Sequence, residues 1–135
     1  MKVVLDSSVI LSALLEDERA DYASAILGQL KRCDVYGVVP SLFFMESANA
    51  LLMAHRRQRL DQDTLILLLQ TLSVMPFERI DSHDLIQTTA LAQNHSLTVY
   101  DATYLWMAMH RGIPLASLDV ALRKAALAEG SFYQP

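Results

Sequence analysis

Short runs of consecutive apolar residues alternate along the chain with longer stretches in which apolar residues recur every three or four positions. The first pattern marks buried strands and the second amphipathic helices. Lys2–Leu5 is a Val-rich run stopped by Asp6-Ser7-Ser8, polar residues of the kind that cap a helix, and 9–15 continues with helical character. Glu16-Asp17-Glu18 makes an acidic turn. Asp21–Lys31 reads as a helix, with Ala23, Ile26, Leu27 and Leu30 at three- and four-residue spacing. Tyr36–Val39 reads as a strand closed by Pro40-Ser41. Residues 42–57 form a long helix, with Ala48, Leu51, Leu52 and His55 on one face. Arg56, Arg57 and Arg59 end it with positive charge, which suits a helix carboxyl end. A helix over 60–72 follows, capped by Asp61. Residues 74–77 form a short strand that Pro76 confines to a sheet edge. Ser82 caps a helix to about residue 94. Residues 97–100 are a strand, 101–110 a helix stopped at Gly112, and 114–117 a strand. Val120–Ala128 is a final helix ending at Gly130, and 131–135 a loosely held tail.

Strands alternating with helices imply an α/β domain, with a mainly parallel four- to five-stranded sheet covered by helices on both faces. No internal repeat or linker divides the chain, so residues 1–135 read as one domain. Its 135 residues are 53% apolar and 19% charged, which supplies a core and excludes a disordered chain. A single cysteine, Cys33, excludes an intrachain disulfide and suits a reducing cytoplasm. With four scattered histidines it also argues against a structural zinc site. Asp6 ends the first apolar run too early for a signal peptide. Other apolar runs, such as 65–69, fall far short of the ~18 residues of a membrane span. A soluble protein without membrane contact is expected. The net charge of −4 is unlike that of proteins that grip nucleic acid by counterion release alone. Nucleic-acid chemistry here needs a local arginine cluster or a metal ion.

The aspartates sharpen that choice. Three predicted strands run into one: Leu5 into Asp6, Tyr100 into Asp101, and Ser117-Leu118 into Asp119. Ligands of open parallel sheets bind beyond the carboxyl ends of the strands, where strand order reverses, so all three share one edge. Glu46, near the start of the 42–57 helix, interrupts the apolar run Leu42-Phe43-Phe44-Met45 and belongs to the same edge. Asn49, three residues on, shares its face and is placed to orient Glu46 or a water on an ion. Each acid also has a plainer reading. Asp6, Asp101 and Asp119 all precede helices and serve as caps, and Glu46 is a first-turn acid favoured by the helix dipole. Convergence is what separates the two readings, because carboxylates crowded together need protons or a cation among them. Hard oxygen donors select Mg²⁺ or Mn²⁺ over zinc.

Four segments carry a more specific resemblance: 3–9 (VVLDSSV), 46–51 (ESANAL), 100–105 (YDATYL) and 115–119 (LASLD). In their order and spacing the chain resembles the PIN-domain superfamily, and within it the VapC toxins of toxin–antitoxin pairs. The resemblance spans essentially the whole chain. It implies a three-layer α/β/α sandwich and a Mg²⁺-dependent (or Mn²⁺-dependent) endoribonuclease whose four acids are Asp6, Glu46, Asp101 and Asp119. Ser8 and Ser117 match the family's small polar residues near the metal; many relatives have Asn or Thr at these places.

On this reading Asp6 and Asp101 are the main metal ligands, while Glu46 and Asp119 complete the set through waters or a second ion. Either of the latter two helps to take the proton from the attacking water. Ser8 and Ser117 orient the carboxylate oxygens. Attack by water leaves a 5′-phosphate and a 3′-hydroxyl. Arg56, Arg57 and Arg59 are candidate RNA contacts, with solvated helix ends as the alternative. Tyr104, Trp106 and Met107 read as helix packing, with base stacking as the alternative. The resemblance also implies a homodimer and a small antitoxin that sets a basic residue in the acidic pocket. The rivals are a housekeeping PIN ribonuclease without an antitoxin and a non-catalytic module that binds RNA or a partner. A haloacid-dehalogenase-type phosphatase wants a second Asp where Ser8 stands. A phosphorelay receiver wants a Lys that does not follow Ser117.

Overall fold

The computed structural model describes residues 1–135 except Arg19. Strand β1 (Lys2–Leu5) lies inside a parallel sheet of order β3-β2-β1-β4, with β2 at Tyr36–Val39, β3 at Glu78–Arg79 and β4 at Leu115–Ala116. Val3 pairs with Gly37 and Val4 with Leu115. Val3, Val4 and Leu5 are fully buried, as an inner parallel strand covered on both faces must be. A Cβ at Gly37 would come within 2.6 Å of Leu5 Cδ1 and of Phe77 Cδ1, so only glycine lets these side chains close over β2.

Seven α-helices flank the sheet among the described residues: α1 (Ser7–Leu14), α2 (Asp21–Lys31), α3 (Leu42–Arg56), α4 (Gln62–Ser73), α5 (Leu85–His95), α6 (Val99–Arg111) and α7 (Val120–Ala128). None is long and apolar enough to cross a membrane. Asp61 caps α4, its carboxylate accepting from the Thr64 N–H at 2.7 Å. Gly112, at φ +63°, closes α6 in the left-handed conformation that glycine adopts without penalty.

Chain order moves outward from β1 through β2 to β3, then returns to set β4 on the other side of β1. The reversal therefore falls between β1 and β4, and this is where an α/β sheet opens a ligand crevice.

Several sequence expectations need correction. The strand expected at 74–77 does not form there; the two-residue β3 begins four residues later, at Glu78. Pro76 has no N–H to give, and Phe77 instead packs edge-on to Phe43 at 5.6 Å. The strand expected at 97–100 does not form. Ser96 ends α5 at φ +53°, the Leu97 N–H returns to the Ala92 carbonyl, and Thr98 already caps α6. Asp84, not Ser82, caps α5, accepting from the Gln87 N–H at 2.9 Å. The carboxyl-terminal tail is not loose. The Leu115 N–H donates to the Ser131 carbonyl and the Tyr133 N–H to the Leu115 carbonyl, so Phe132 pairs in parallel beside β4. Tyr133 is buried, and its hydroxyl donates to Gln29 Oε1 at 2.9 Å.

Candidate functional site

Asp6 stands at the N-cap position of α1, yet its side chain makes no capping bond. Its Oδ2 accepts from two hydroxyls, Ser8 Oγ at 2.5 Å and Ser117 Oγ at 2.8 Å. Each hydroxyl is held from behind by a backbone N–H, Leu118 to Ser8 and Asp119 to Ser117, both at 3.0 Å. A hydroxyl has one proton to give, and here both protons go to Asp6. The carboxylate is only 4% exposed. Burial pushes its pKa up, the two serines pull it back, and Asp119 adds to the rise.

The other acids reach this edge by different routes. Glu46, half-buried on the second turn of α3, accepts a 2.6 Å bond from the fully buried Tyr104 hydroxyl of α6. Burial raises its pKa, and so do the charges of Asp6 and Asp101. The same surroundings push the Tyr104 hydroxyl well above its ordinary value, so it stays a donor. Asp101 lies in the first turn of α6 rather than at a strand end. Thr98 Oγ1 accepts its N–H at 3.1 Å, which makes Thr98 the cap. Burial raises the Asp101 pKa, as do Asp6 and Asp119. Asp119 does cap a helix, its Oδ1 accepting from the Leu122 N–H at 2.9 Å.

The four acids thus share one electrostatic neighbourhood. Among the described residues, none has a Lys, Arg or His partner within ion-pair distance. Equally, no three His, Cys, Asp or Glu side chains are grouped closely enough to make a ready ligand set. The donor chemistry still fits a hard divalent ion. Mg²⁺ keeps much of its water and takes one or two carboxylates directly, so it requires no closed cluster of three.

Other expected residues fall elsewhere. Asn49 is exposed and makes no hydrogen bond to Glu46. Arg56 and Arg57 are exposed at the far end of α3, about 15 Å beyond Glu46 at 1.5 Å per residue. Arg59 is held by Asp17 at 2.7 Å and Glu18 at 2.8 Å. Tyr104, read from the sequence as packing, is both packing and the anchor of Glu46. It is 58 residues from its partner, and no local spacing betrays that pairing.

Residues 3–127 match the family model described as the PIN domain. The chain belongs to the PIN-domain family. Within it the chain is VapC-like. It is 31% identical over 123 residues to Ribonuclease VapC3 of Pyrobaculum aerophilum, covering 88% of this chain and 90% of that protein. Among solved structures it resembles PAE2754 from the same organism, with a TM-score of 0.71 at 24% identity over 93% of this chain and 79% of that one. It also resembles FitAcB from Neisseria gonorrhoeae, with a TM-score of 0.61 at 18% identity over 92% of both chains. A chain of a toxin–antitoxin complex from Klebsiella pneumoniae gives 0.53 at 20% identity, over 87% of this chain and 86% of that one. The structural neighbours establish the shared PIN fold.

Proposed function

We propose that this PIN-domain chain is a metal-dependent endoribonuclease and the toxin of a toxin–antitoxin pair, with Mg²⁺ as its ion and Mn²⁺ as a substitute. The observation that carries the reading is Asp6. It is a buried carboxylate without a basic partner among the described residues, at the strand-order reversal, in the fields of further acids. Such a group is stable only with a proton or a cation nearby, and oxygen donors favour a hard ion. When bound, the ion neutralises phosphate charge and acidifies an attacking water.

The chain's own residues divide the remaining work. Asp6 and Asp101 hold the ion, and Asp119 supports it with the oxygen not engaged in capping α7. Ser8 and Ser117 fix Asp6 Oδ2 and so set the plane of its carboxylate. Glu46, with its raised proton affinity and its anchor on Tyr104, accepts the proton lost by water. The products carry a 5′-phosphate and a 3′-hydroxyl. Arg56 and Arg57 contact the RNA backbone, whereas Arg59 serves Asp17 and Glu18. The kinship with Ribonuclease VapC3 and the likeness to a toxin–antitoxin chain support an RNA substrate and a small antitoxin partner. A basic antitoxin side chain would complement the acidic edge. A homodimer in the cytoplasm belongs to the same reading, consistent with Leu85 and Ile86 left exposed on α5.

Purified protein incubated with RNA in Mg²⁺ or in EDTA tests the activity. Cleavage in Mg²⁺ is expected to drop about a hundredfold or more in Asp6→Asn and in Asp101→Asn. Cutting that persists in EDTA and in both variants would refute the mechanism. Growth arrest on expression, relieved by a small co-purifying protein, is expected for the toxin role; harmless expression without a partner removes it.

A further inference from the structure

A cavity of about 280 Å³ opens between the loops that leave β2 and β3, against the second turn of α6. Both loops emerge at the carboxyl edge of the sheet, the edge that holds Asp6 and Asp119. Its apolar lining comes from Pro40, Leu42 and Ile80, and its polar lining from Ser41, Asp81, Ser82, His83 and Thr103. One of these residues ties it to the acids: Leu42 lies one turn before Glu46 on the same face of α3, about 6 Å along the axis.

The cavity is held open by a fixed frame. Asp81 accepts from the Ser41 N–H at 2.8 Å and from the Ser41 hydroxyl at 2.6 Å, locking the β3–α5 loop to the start of α3. Ser82 and His83 are exposed and make no hydrogen bond to another described residue, so a hydroxyl and an imidazole face outward with their bonding capacity intact. Beside them Arg79 lies over the Phe44 ring, 4.4 Å from its centroid, and in the field of Asp81, with no carboxylate within ion-pair distance among the described residues. An apolar slot with unmatched donors and acceptors and a neighbouring free guanidinium suits one nucleotide. The slot takes the ring, the hydroxyl and imidazole read its edge, and the guanidinium meets a phosphate. The volume lies just below that of pockets for drug-sized ligands, which limits the occupant to a single ring system. A base stacked in an RNA duplex cannot enter such a slot; an unpaired one can.

We propose that this pocket is a base-binding subsite for single-stranded RNA beside the cut, giving the enzyme a nucleotide preference at one fixed position. It rests on the nuclease reading of the adjoining acids. The test pairs binding with cleavage. Fluorescence anisotropy of the full-length Asp6→Asn protein with short oligo(U), oligo(C) and oligo(A) is expected to show one base favoured by about tenfold or more. Ser82→Trp, which fills the mouth from an exposed loop, should erase that preference, and His83→Ala should reduce it. A thermal melt checks that each variant folds. In parallel, cut sites on a mixed-sequence RNA are mapped for the wild type and Ser82→Trp, with the wild-type base bias expected to vanish. Equal affinities, or a bias untouched by Ser82→Trp, would overturn the subsite while leaving the nuclease standing. Base-selective binding lost in Ser82→Trp, with no cleavage by the wild type, would retain the subsite and remove the nuclease. Oligonucleotide affinity unmoved while a co-purifying protein is lost would assign the pocket to a protein ligand instead and overturn the proposal.

Discussion

Ser117 joins three groups with a single oxygen. It donates to Asp6, accepts from the Asp119 N–H and lies 3.5 Å from Ser8 Oγ. Ser117→Ala removes all of these at a fully buried position while changing volume little. Outer hydrogen-bond partners of this kind are worth about 10- to 100-fold in metal affinity or activity. Nuclease activity is therefore expected to fall in that range, with the half-saturating Mg²⁺ concentration rising in a titration; an unchanged Mg²⁺ response would show that Ser117 does not position Asp6. The charges themselves give a pH dependence. In the unfolded chain Asp6 and Asp101 titrate near 3.8 and Glu46 near 4.5, and the folded protein raises all three. Above those ordinary values the native state keeps protons that the unfolded chain has lost, so these groups make stability fall as pH rises through the window. A divalent ion replaces the protons. Its addition should raise the melting temperature more at about pH 8 than at about pH 5, with about 2.7 kcal/mol gained at a hundredfold excess over Kd. Melts in EDTA and in Mg²⁺ measure this, and an equal shift at both pH values would count against binding at these acids.

At the level of elements, Thr98 caps α6 where the sequence pattern suggests a strand. Thr98→Ala removes the α6 cap and should cost about 1 kcal/mol in a denaturant melt. Activity should fall as well, because the capped turn carries Asp101. β1 and β2 were legible as buried apolar runs and the long helices by their spacing, although α5 buries Thr88 and leaves Leu85 and Ile86 exposed. The segment 97–100 was not. Leu-Thr-Val-Tyr has the β-branched and aromatic content of a strand, and only the closure of α5 by the Leu97 N–H leaves it no length to extend. The site was half legible for a related reason. Asp6 and Asp119 follow β1 and β4 as the pattern required, whereas Asp101 arrives on a helix and reaches the same edge. Tyr104 was legible as a buried residue; its bond to Glu46 depends on α3 and α6 meeting, which no local pattern encodes.

For the molecule as a whole, the four acids gather at one end of the sheet in a chain of net charge −4. Two residues before Ser117, the bridge between Phe132 and Leu115 occupies the open flank of β4. Tyr22 reinforces it, donating its hydroxyl to the Tyr133 carbonyl at 2.8 Å, and the Arg123 guanidinium sits 4.9 Å from the Phe132 ring centroid. A version ending at Gly130 would bare the hydrogen-bonding groups of a sheet margin, an invitation to pair with another chain. Such a protein should form sedimentable aggregates at concentrations where the intact one runs as a single species in size-exclusion chromatography. A purification handle is therefore better carried past Pro135 than substituted for the last five residues, whose task is to keep neighbouring molecules from zipping together.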